Sequence, residues 1–255
     1  MALDLHYDIL GQGEPLLLLH GLFGSGRNWH GVARALVETH RVILPDLRNH
    51  GNSPQTAQMD YPAMADDIAA LLDDLGVQAC PIVGHSMGGK VAMRLALDRP
   101  NRVERLGVVD IAPVSYSSRH RDIFTALNGL PLKQIKTRKA AAEWMSTLVP
   151  EIGVRQFLLT NLVSKSGQYH WRIPVDILEQ SYSNISAFPA TEGRYVKAVR
   201  FISGARSDYI QPQYHEQILR LFPRAEFTTI EGAGHWVHAE RPQAFVEQLQ
   251  SFLLG

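Results

Sequence analysis

The sequence predicts an α/β fold in which a mostly parallel central sheet carries helices on both faces and an inserted helical cap. Short apolar, strand-like runs alternate with amphipathic stretches over the first 112 residues, and this alternation is typical of parallel sheets. Residues 113–192 contain no convincing strand pattern, and strand-like runs return after them. The chain therefore divides into a core domain of residues 1–112 and 193–255 and a cap of residues 113–192.

The predicted strands of the core are short and largely apolar. Four consecutive leucines at residues 16–19 favour a strand that is buried on both faces. Residues 3–9 indicate an edge strand, and Gly11-Gln12-Gly13 indicates a hairpin turn after it. Further strands are predicted over residues 41–46, 79–83, 105–110, 196–202 and 226–230.

Helices are predicted where apolar residues recur at helical spacing, as they do over residues 61–75. The other core helices are predicted over residues 29–38, 90–97 and 242–254. The cap helices are predicted over residues 119–128, 137–148, 153–162 and 175–182. We expect the cap to cover the carboxyl ends of the strands, where open α/β sheets bind their ligands.

Composition excludes several classes of function. The 255 residues carry 25 basic and 25 acidic side chains, so nothing indicates a surface for nucleic acid or an anionic membrane. Cys80 is the single cysteine. It excludes an internal disulfide and is expected in the core. The first residues lack the basic and apolar regions of a signal peptide. We expect a soluble, cytoplasmic protein, a monomer or a homodimer.

A Gly-His-Ser-Met-Gly pentapeptide at residues 84–88 matches the pattern G-x-S-x-G. A strand-like run precedes it and a helix-like run follows it. This context is that of a nucleophile elbow, a strained turn that presents a serine at the top of the sheet. Ser86 is therefore the candidate nucleophile.

A serine hydroxyl needs a base, usually a histidine that a carboxylate holds in the right tautomer. Among eleven histidines, His235 has the right setting, because it lies in a small, glycine-rich loop between the last predicted strand and the last helix. His238 is its nearest rival, but it falls at the start of a predicted helix. We expect His238 to be a surface or packing residue.

Two carboxylates compete for the role of the acid. Asp110 ends the strand that follows the elbow, and Asp208 follows the next core strand. Both loops lie at the same edge of the predicted sheet as Ser86, and the order serine, acid, histidine fits either residue. Sequence spacing does not decide between them.

An oxyanion hole needs two N–H donors aimed at the developing charge. The Met87 amide, at a helix N-terminus, is one candidate. The amide of Leu22, in the turn after a strand, is the preferred second donor, and that of Phe23 is the alternative. The polar turn of residues 46–54 follows another strand, and we expect it to brace the site through hydrogen bonds.

The sequence predicts no metal and no cofactor. His20, His50, His85 and His235 lack the i, i+4 helical spacing of a zinc protease. Gly11-Gln12-Gly13 lacks the strand and helix that flank a dinucleotide site.

Several segments resemble the α/β-hydrolase superfamily. They are His-Gly-Leu-Phe-Gly-Ser at residues 20–25, Asp-Leu-Arg-Asn-His-Gly at 46–51, Gly-His-Ser-Met-Gly-Gly at 84–89 and Gly-Ala-Gly-His-Trp at 232–236. Asp-Ile-Ala-Pro-Val and Ala-Gly-His-Trp-Val-His-Ala-Glu further resemble the small bacterial esterases of the YbfF type, which are related to the mitochondrial abhydrolase-11 proteins. The resemblance covers nearly the whole chain and is weakest in the cap.

The resemblance implies an α/β-hydrolase fold with Ser86 as nucleophile, His235 as base and Asp110, from the Asp-Ile-Ala-Pro-Val segment, as the preferred acid. It also implies hydrolysis of short-chain carboxylic esters or acyl thioesters, with a small molecule as substrate. The alternatives are a C–C bond hydrolase or lyase on the same triad and a non-catalytic binding protein of this fold. Epoxide hydrolases and dehalogenases are disfavoured, because they need a carboxylate at position 86.

Overall fold

A twisted, mostly parallel sheet runs through the core of the protein, whose computed structural model describes residues 1–254. The strands are β1 (Tyr7–Leu10), β2 (Glu14–Leu19), β3 (His40–Pro45), β4 (Cys80–His85), β5 (Val103–Val109), β6 (Leu162–Lys165), β7 (Gln168–Trp171), β8 (Val199–Gly204) and β9 (Ala225–Ile230). Seven of them form the main sheet in the order β1-β3-β2-β4-β5-β8-β9. β1 is antiparallel to β3, and the other pairs of the main sheet are parallel.

Helices cover both faces of this sheet. They are α1 (His30–Arg34), α2 (Tyr61–Asp74), α3 (Met87–Asp98), α4 (Arg121–Gly129), α5 (Arg138–Met145), α6 (Ile152–Leu158), α7 (Val175–Gln180), α8 (Tyr182–Ser186), α9 (His215–Leu221), α10 (Val237–Glu240) and α11 (Pro242–Leu254). Along β2, Leu17 and Leu19 pack into the core that α2 and α3 share. Leu16 and Leu18 pack on the opposite face, against α1 and α11. The leucine run is therefore buried on both faces, as predicted.

Five helices, α4 to α8, and a hairpin occupy most of the inserted segment, residues 113–192, between β5 and β8. The expectation that this segment contains no strand is wrong, because β6 and β7 pair antiparallel around Ser166 and Gly167. Both turn residues have positive φ, 51° and 77°, as a two-residue type I′ hairpin turn requires. The Ser-Gly pair was the local signal for this hairpin.

The remaining differences concern single elements of the core and of the inserted segment. The predicted hairpin after β1 is wrong, because β1 pairs with β3 and β2 lies on the far side of β3. The helix predicted over residues 29–38 is shorter, a 3₁₀ turn at Gly26–Trp29 followed by α1. The helix predicted over residues 175–182 divides into α7 and α8, and α9 had no predicted counterpart.

One further feature of the core follows the sequence closely. Cys80 is fully buried in β4, and burial raises the pKa of its thiol to about 12, so it is an inert core residue.

Among the helices within residues 1–254, none has both the length and the apolar character needed to cross a bilayer.

A buried ion pair anchors the loop after β3 to α2. Arg48 donates from Nε to Asp67 Oδ2 at 2.7 Å and from Nη2 to Asp67 Oδ1 at 2.8 Å. Its other N–H groups reach the carbonyls of Gln58 and Ala63, and Asp67 also accepts the Leu3 amide. Because both charges are nearly inaccessible to water, each depends on the other for compensation.

We expect Asp67→Asn to lower the free energy of unfolding by about 3–5 kcal/mol, because it leaves the Arg48 charge buried and uncompensated. Asp66, the preceding residue of α2, forms an exposed pair with Arg99. Asp66→Asn should therefore cost less than about 1 kcal/mol. Urea unfolding of the two variants measures the difference, and equal small losses would contradict the role given to the buried pair.

Candidate active site

Ser86 lies in a sharp turn between the end of β4 and the start of α3. Its φ of 52° is rare for a residue with a side chain and costs about 1–3 kcal/mol. A Cβ at Gly84 would collide with the Gly88 backbone, and a Cβ at Gly88 would collide with the carbonyls of Leu19 and His20. The glycines of the pentapeptide thus permit the close approach of strand and helix that presents the serine.

His235 meets Ser86 across this edge of the sheet. The chain turns back after β9, and His235 Nε2 lies 3.1 Å from Ser86 Oγ. His235 Nδ1 lies 2.7 Å from Asp110 Oδ2. Since a carboxylate only accepts, Nδ1–H is the donor to Asp110, and Nε2 is left to accept the proton of the serine. The imidazole is also stacked on Tyr209, with ring centroids 4.2 Å apart.

Asp110 is the carboxylate that contacts His235. It follows β5, is fully buried and has a φ of 54°. It also accepts hydrogen bonds from the Gly204 amide at 3.1 Å and from the Ser207 hydroxyl. Ser207 had no predicted role, although its position directly before Asp208 placed it in the correct loop.

Asp208, the alternative acid, points away from His235. Its carboxylate is exposed and forms an ion pair with Arg119 at 2.5 Å. The hydrogen bond from Arg119 lowers the pKa of Asp208 below its ordinary value. The geometry therefore disfavours Asp208 as the partner of the histidine, because its carboxylate is already engaged with a cation of the inserted segment.

Two backbone amides remain available beside Ser86. Within residues 1–254, the Leu22 and Met87 N–H groups have no protein acceptor, and both residues border the same cavity as Ser86. The Phe23 amide, the alternative donor, instead donates to His50 Nε2 at 3.1 Å. The geometry therefore favours Leu22 over Phe23 as the second donor, because the Phe23 N–H is already bound.

Two buried histidines brace the loop that carries Leu22. His20 donates from Nδ1 to the Gly21 carbonyl and accepts the Leu47 amide at Nε2. His50 donates from Nδ1 to the Arg48 carbonyl and accepts the Phe23 amide at Nε2. Burial lowers the pKa of His20 to about 4 and that of His50 to about 3. Both rings are thus neutral near pH 7, each with one fixed tautomer.

Three more neutral histidines surround the site. His85 donates from Nε2 to the His235 carbonyl at 2.9 Å, and burial lowers its pKa well below the ordinary value. His238 is buried against Trp29, so the packing role expected for it is correct and the surface alternative is wrong. Burial lowers the pKa of His238 to about 3 and that of His120 to about 4.

A cavity of about 920 Å³ opens over Ser86 and His235. Its wall includes the charged side chains of Arg119, Asp122 and Glu151, and the inserted segment also contributes an apolar surface formed by Ile123, Leu148, Val149, Val154, Phe157 and Leu158. Such a surface accepts an apolar group and limits access of water to the serine.

Lys90 borders the cavity and had no predicted role. It lies one helical turn after Ser86 and donates from Nζ to the carbonyls of Val114, Ser186 and Ala187 at 2.8–2.9 Å. These acceptors stand near the two ends of the inserted segment. Burial lowers the pKa of Lys90 to about 7.

The sequence of this chain matches the alpha/beta hydrolase family over residues 16–248. The chain belongs to this family. It is 44% identical to the sn-1-specific diacylglycerol lipase ABHD11 of Mus musculus, over 98% of this chain and 85% of that protein. It is 41% identical to the esterase YbfF of Escherichia coli K12, over 94% of this chain and 93% of that one.

A solved structure described as a marine microorganism esterase is similar over its whole length. It superimposes with a TM-score of 0.96 at 37% identity, covering 99% of this chain and 100% of that one. The fold and the resemblance predicted from the motifs are confirmed, and the chain is a carboxylic ester hydrolase, as the sequence indicated.

We expect Asp110→Asn to lower kcat on a p-nitrophenyl ester by about 10⁴-fold, because an amide at this position favours the wrong tautomer of His235. Asp208→Asn, the matched change on the exposed carboxylate, should lower kcat by less than about 10-fold. Steady-state kinetics of both variants make the comparison. Equal losses would contradict the assignment of Asp110 alone to His235.

The buried histidines predict acid sensitivity. In the unfolded chain, His20, His50 and His238 become protonated below about pH 6.5. In the folded chain they become protonated only at about pH 3–4. The free energy of unfolding should therefore fall as the pH drops from 6.5 towards 4. His238→Phe keeps the stack on Trp29 and removes one such group. Its free energy of unfolding, measured by urea titration from pH 6 to pH 4, should fall about 1.4 kcal/mol per pH unit less steeply than that of the wild type. Parallel curves would contradict this account.

Proposed function

We propose that this chain is a cofactor-free serine carboxylesterase that cleaves short-chain carboxylic esters or acyl thioesters through an acyl-enzyme on Ser86. The observation that carries the proposal is the continuous hydrogen-bonded line from Ser86 Oγ through His235 to the buried carboxylate of Asp110. The esterase and lipase relatives support the general reaction, and the geometry supports the part that we propose for each residue.

In the first half of the reaction, His235 Nε2 takes the proton of Ser86, and Oγ attacks the carbonyl carbon of the substrate. The carbonyl oxygen gains negative charge and lies between the Leu22 and Met87 amides, which face it as preorganised donors. The positive end of α3 adds to this stabilisation. The tetrahedral intermediate collapses when His235 gives its proton to the leaving alcohol or thiol, and an acyl-enzyme remains.

In the second half, a water molecule gives its proton to His235 and attacks the acyl carbon. The same two amides hold the new oxyanion, and the bond to Ser86 Oγ breaks as the proton returns to the serine. Asp110 stays ionised throughout and stabilises the imidazolium that forms twice in the cycle. The net change is ester or thioester plus water to acid plus alcohol or thiol.

We assign residues 113–192 to a cap that selects the substrate. Its apolar side chains form part of the cavity wall, and the acyl group would lie against them while the carbonyl stays at the serine. The division into this cap and a core of residues 1–112 and 193–255 agrees with the position of the segment between β5 and β8.

We expect Ser86→Ala to lower the turnover of p-nitrophenyl acetate by at least about 10⁴-fold, since it removes the only atom that forms the acyl-enzyme. A fluorophosphonate probe should label the wild type and not this variant. Ser251→Ala, an exposed serine of α11, is the matched control and should keep both turnover and labelling.

The same assays separate the alternatives. Full turnover by Ser86→Ala would overturn the mechanism. A wild type that is neither labelled nor active would support a non-catalytic binding protein. A wild type that is labelled at Ser86 but cleaves neither esters nor acyl thioesters would support a C–C bond hydrolase or lyase.

A further inference from the structure

We propose that Asn161, in the inserted segment, is a positioning residue that directs the Leu22 amide at the oxyanion through two hydrogen-bonded peptide planes of the loop after β2. The inference rests on the proposed function, in which this amide binds the oxyanion of the tetrahedral intermediate. Asn161 lies far from Leu22 in sequence and contacts no reacting atom. Its influence would pass through the backbone of the loop after β2.

The first peptide plane is that between Phe23 and Gly24. Asn161 is almost fully buried and donates from Nδ2 to the Phe23 carbonyl at 2.7 Å. In a trans peptide the C=O and the N–H point in opposite directions, and residues 1–254 include no cis peptide bond. The bond from Asn161 therefore also fixes the direction of the Gly24 N–H.

The second plane is that between Gly21 and Leu22. The Gly24 N–H donates to the Gly21 carbonyl at 3.0 Å, and His20 Nδ1 lies 2.8 Å from the same oxygen. Both donors reach the Gly21 oxygen, so the Leu22 N–H of the same plane must point the opposite way. Leu22 borders the cavity that contains Ser86, which is where the oxyanion would form.

Phe23 would not hold this arrangement by itself. Its φ of 63° is unfavourable for a residue with a side chain and persists only where the surroundings enforce it. The core contributes the bonds from the Phe23 amide to His50 and from the Gly24 amide to the Gly21 carbonyl. The inserted segment contributes the bond from Asn161 and the contacts of the Phe23 ring with Phe124 at 5.4 Å and with His120 at 6.1 Å.

A purely structural role for Asn161 would alter substrate binding and catalysis together. A positioning role predicts a different pattern, because the Leu22 amide binds the tetrahedral species more strongly than the planar ester. If the Leu22 N–H loses its direction, the transition state and its analogues should bind more weakly, and the binding of the substrate itself should stay nearly unchanged.

The test compares Asn161→Asp with the same change at Asn128, an exposed cap residue that donates to Glu179. Asn161→Asp keeps the shape of the side chain but sets an acceptor against the Phe23 carbonyl. For p-nitrophenyl acetate we expect kcat to fall about 10–100-fold, less than the 10²–10³-fold for complete loss of a donor. KM should change by less than about 2-fold, and a trifluoromethyl ketone should bind more weakly by the same factor as kcat falls. Asn128→Asp should match the wild type in all three quantities.

Two results would overturn the inference. The first is that Asn161→Asp keeps the kcat and the ketone affinity of the wild type. The second is that a rise in KM alone accounts for the whole loss of kcat/KM. If thermal unfolding indicates that Asn161→Asp does not fold, Asn161→Ala replaces it under the same criteria. Undiminished turnover by Ser86→Ala would instead overturn the proposed function, so the two failures are distinguishable.

Discussion

The buried carboxylate of Asp110 is the group on which the rest of the site depends. A fully buried charge is tolerated only when hydrogen bonds and counter-charges replace its water. Asp110 accepts such hydrogen bonds from the Gly204 amide at the end of β8, from the Ser207 hydroxyl and from the imidazole of His235. The hydrogen bonds to this one carboxylate thus connect three loops and fix the tautomer of His235.

Backbone strain at the ends of the strands is the second constraint. Phe23, Ser86 and Asp110 all have positive φ, and each stands shortly after a strand of the parallel sheet. The sheet hydrogen bonds continue into two of these turns, since Ser86 donates to the Val109 carbonyl and Asp110 to the Ile202 carbonyl. These hydrogen bonds therefore hold Ser86 and Asp110 in backbone conformations that the two residues would not adopt alone. They also direct both side chains towards one point.

The sequence predicted those parts of the site that local pattern controls. The elbow around Ser86 has a fixed spacing of glycines between a strand and a helix, and His235 follows from the order of elements. The choice between Asp110 and Asp208 was open, because it depends on which carboxylate lies next to a distant cation, here Arg119. The choice between the Leu22 and Phe23 amides was open for the same reason, since the Phe23 amide donates to His50, which belongs to another loop.

Hydrogen bonds from Lys90 connect the inserted segment, which contributes to the cavity wall, with the helix that follows Ser86. Lys90 follows Ser86 by one turn of α3 and binds three carbonyls near both ends of the segment. An ammonium group has three N–H donors for these three acceptors, whereas a neutral amine has two. With burial lowering the pKa of Lys90 to about 7, a rise in pH removes one of the three bonds. The segment that shapes the cavity is thus attached to the helix that carries the serine by a contact whose strength depends on one proton.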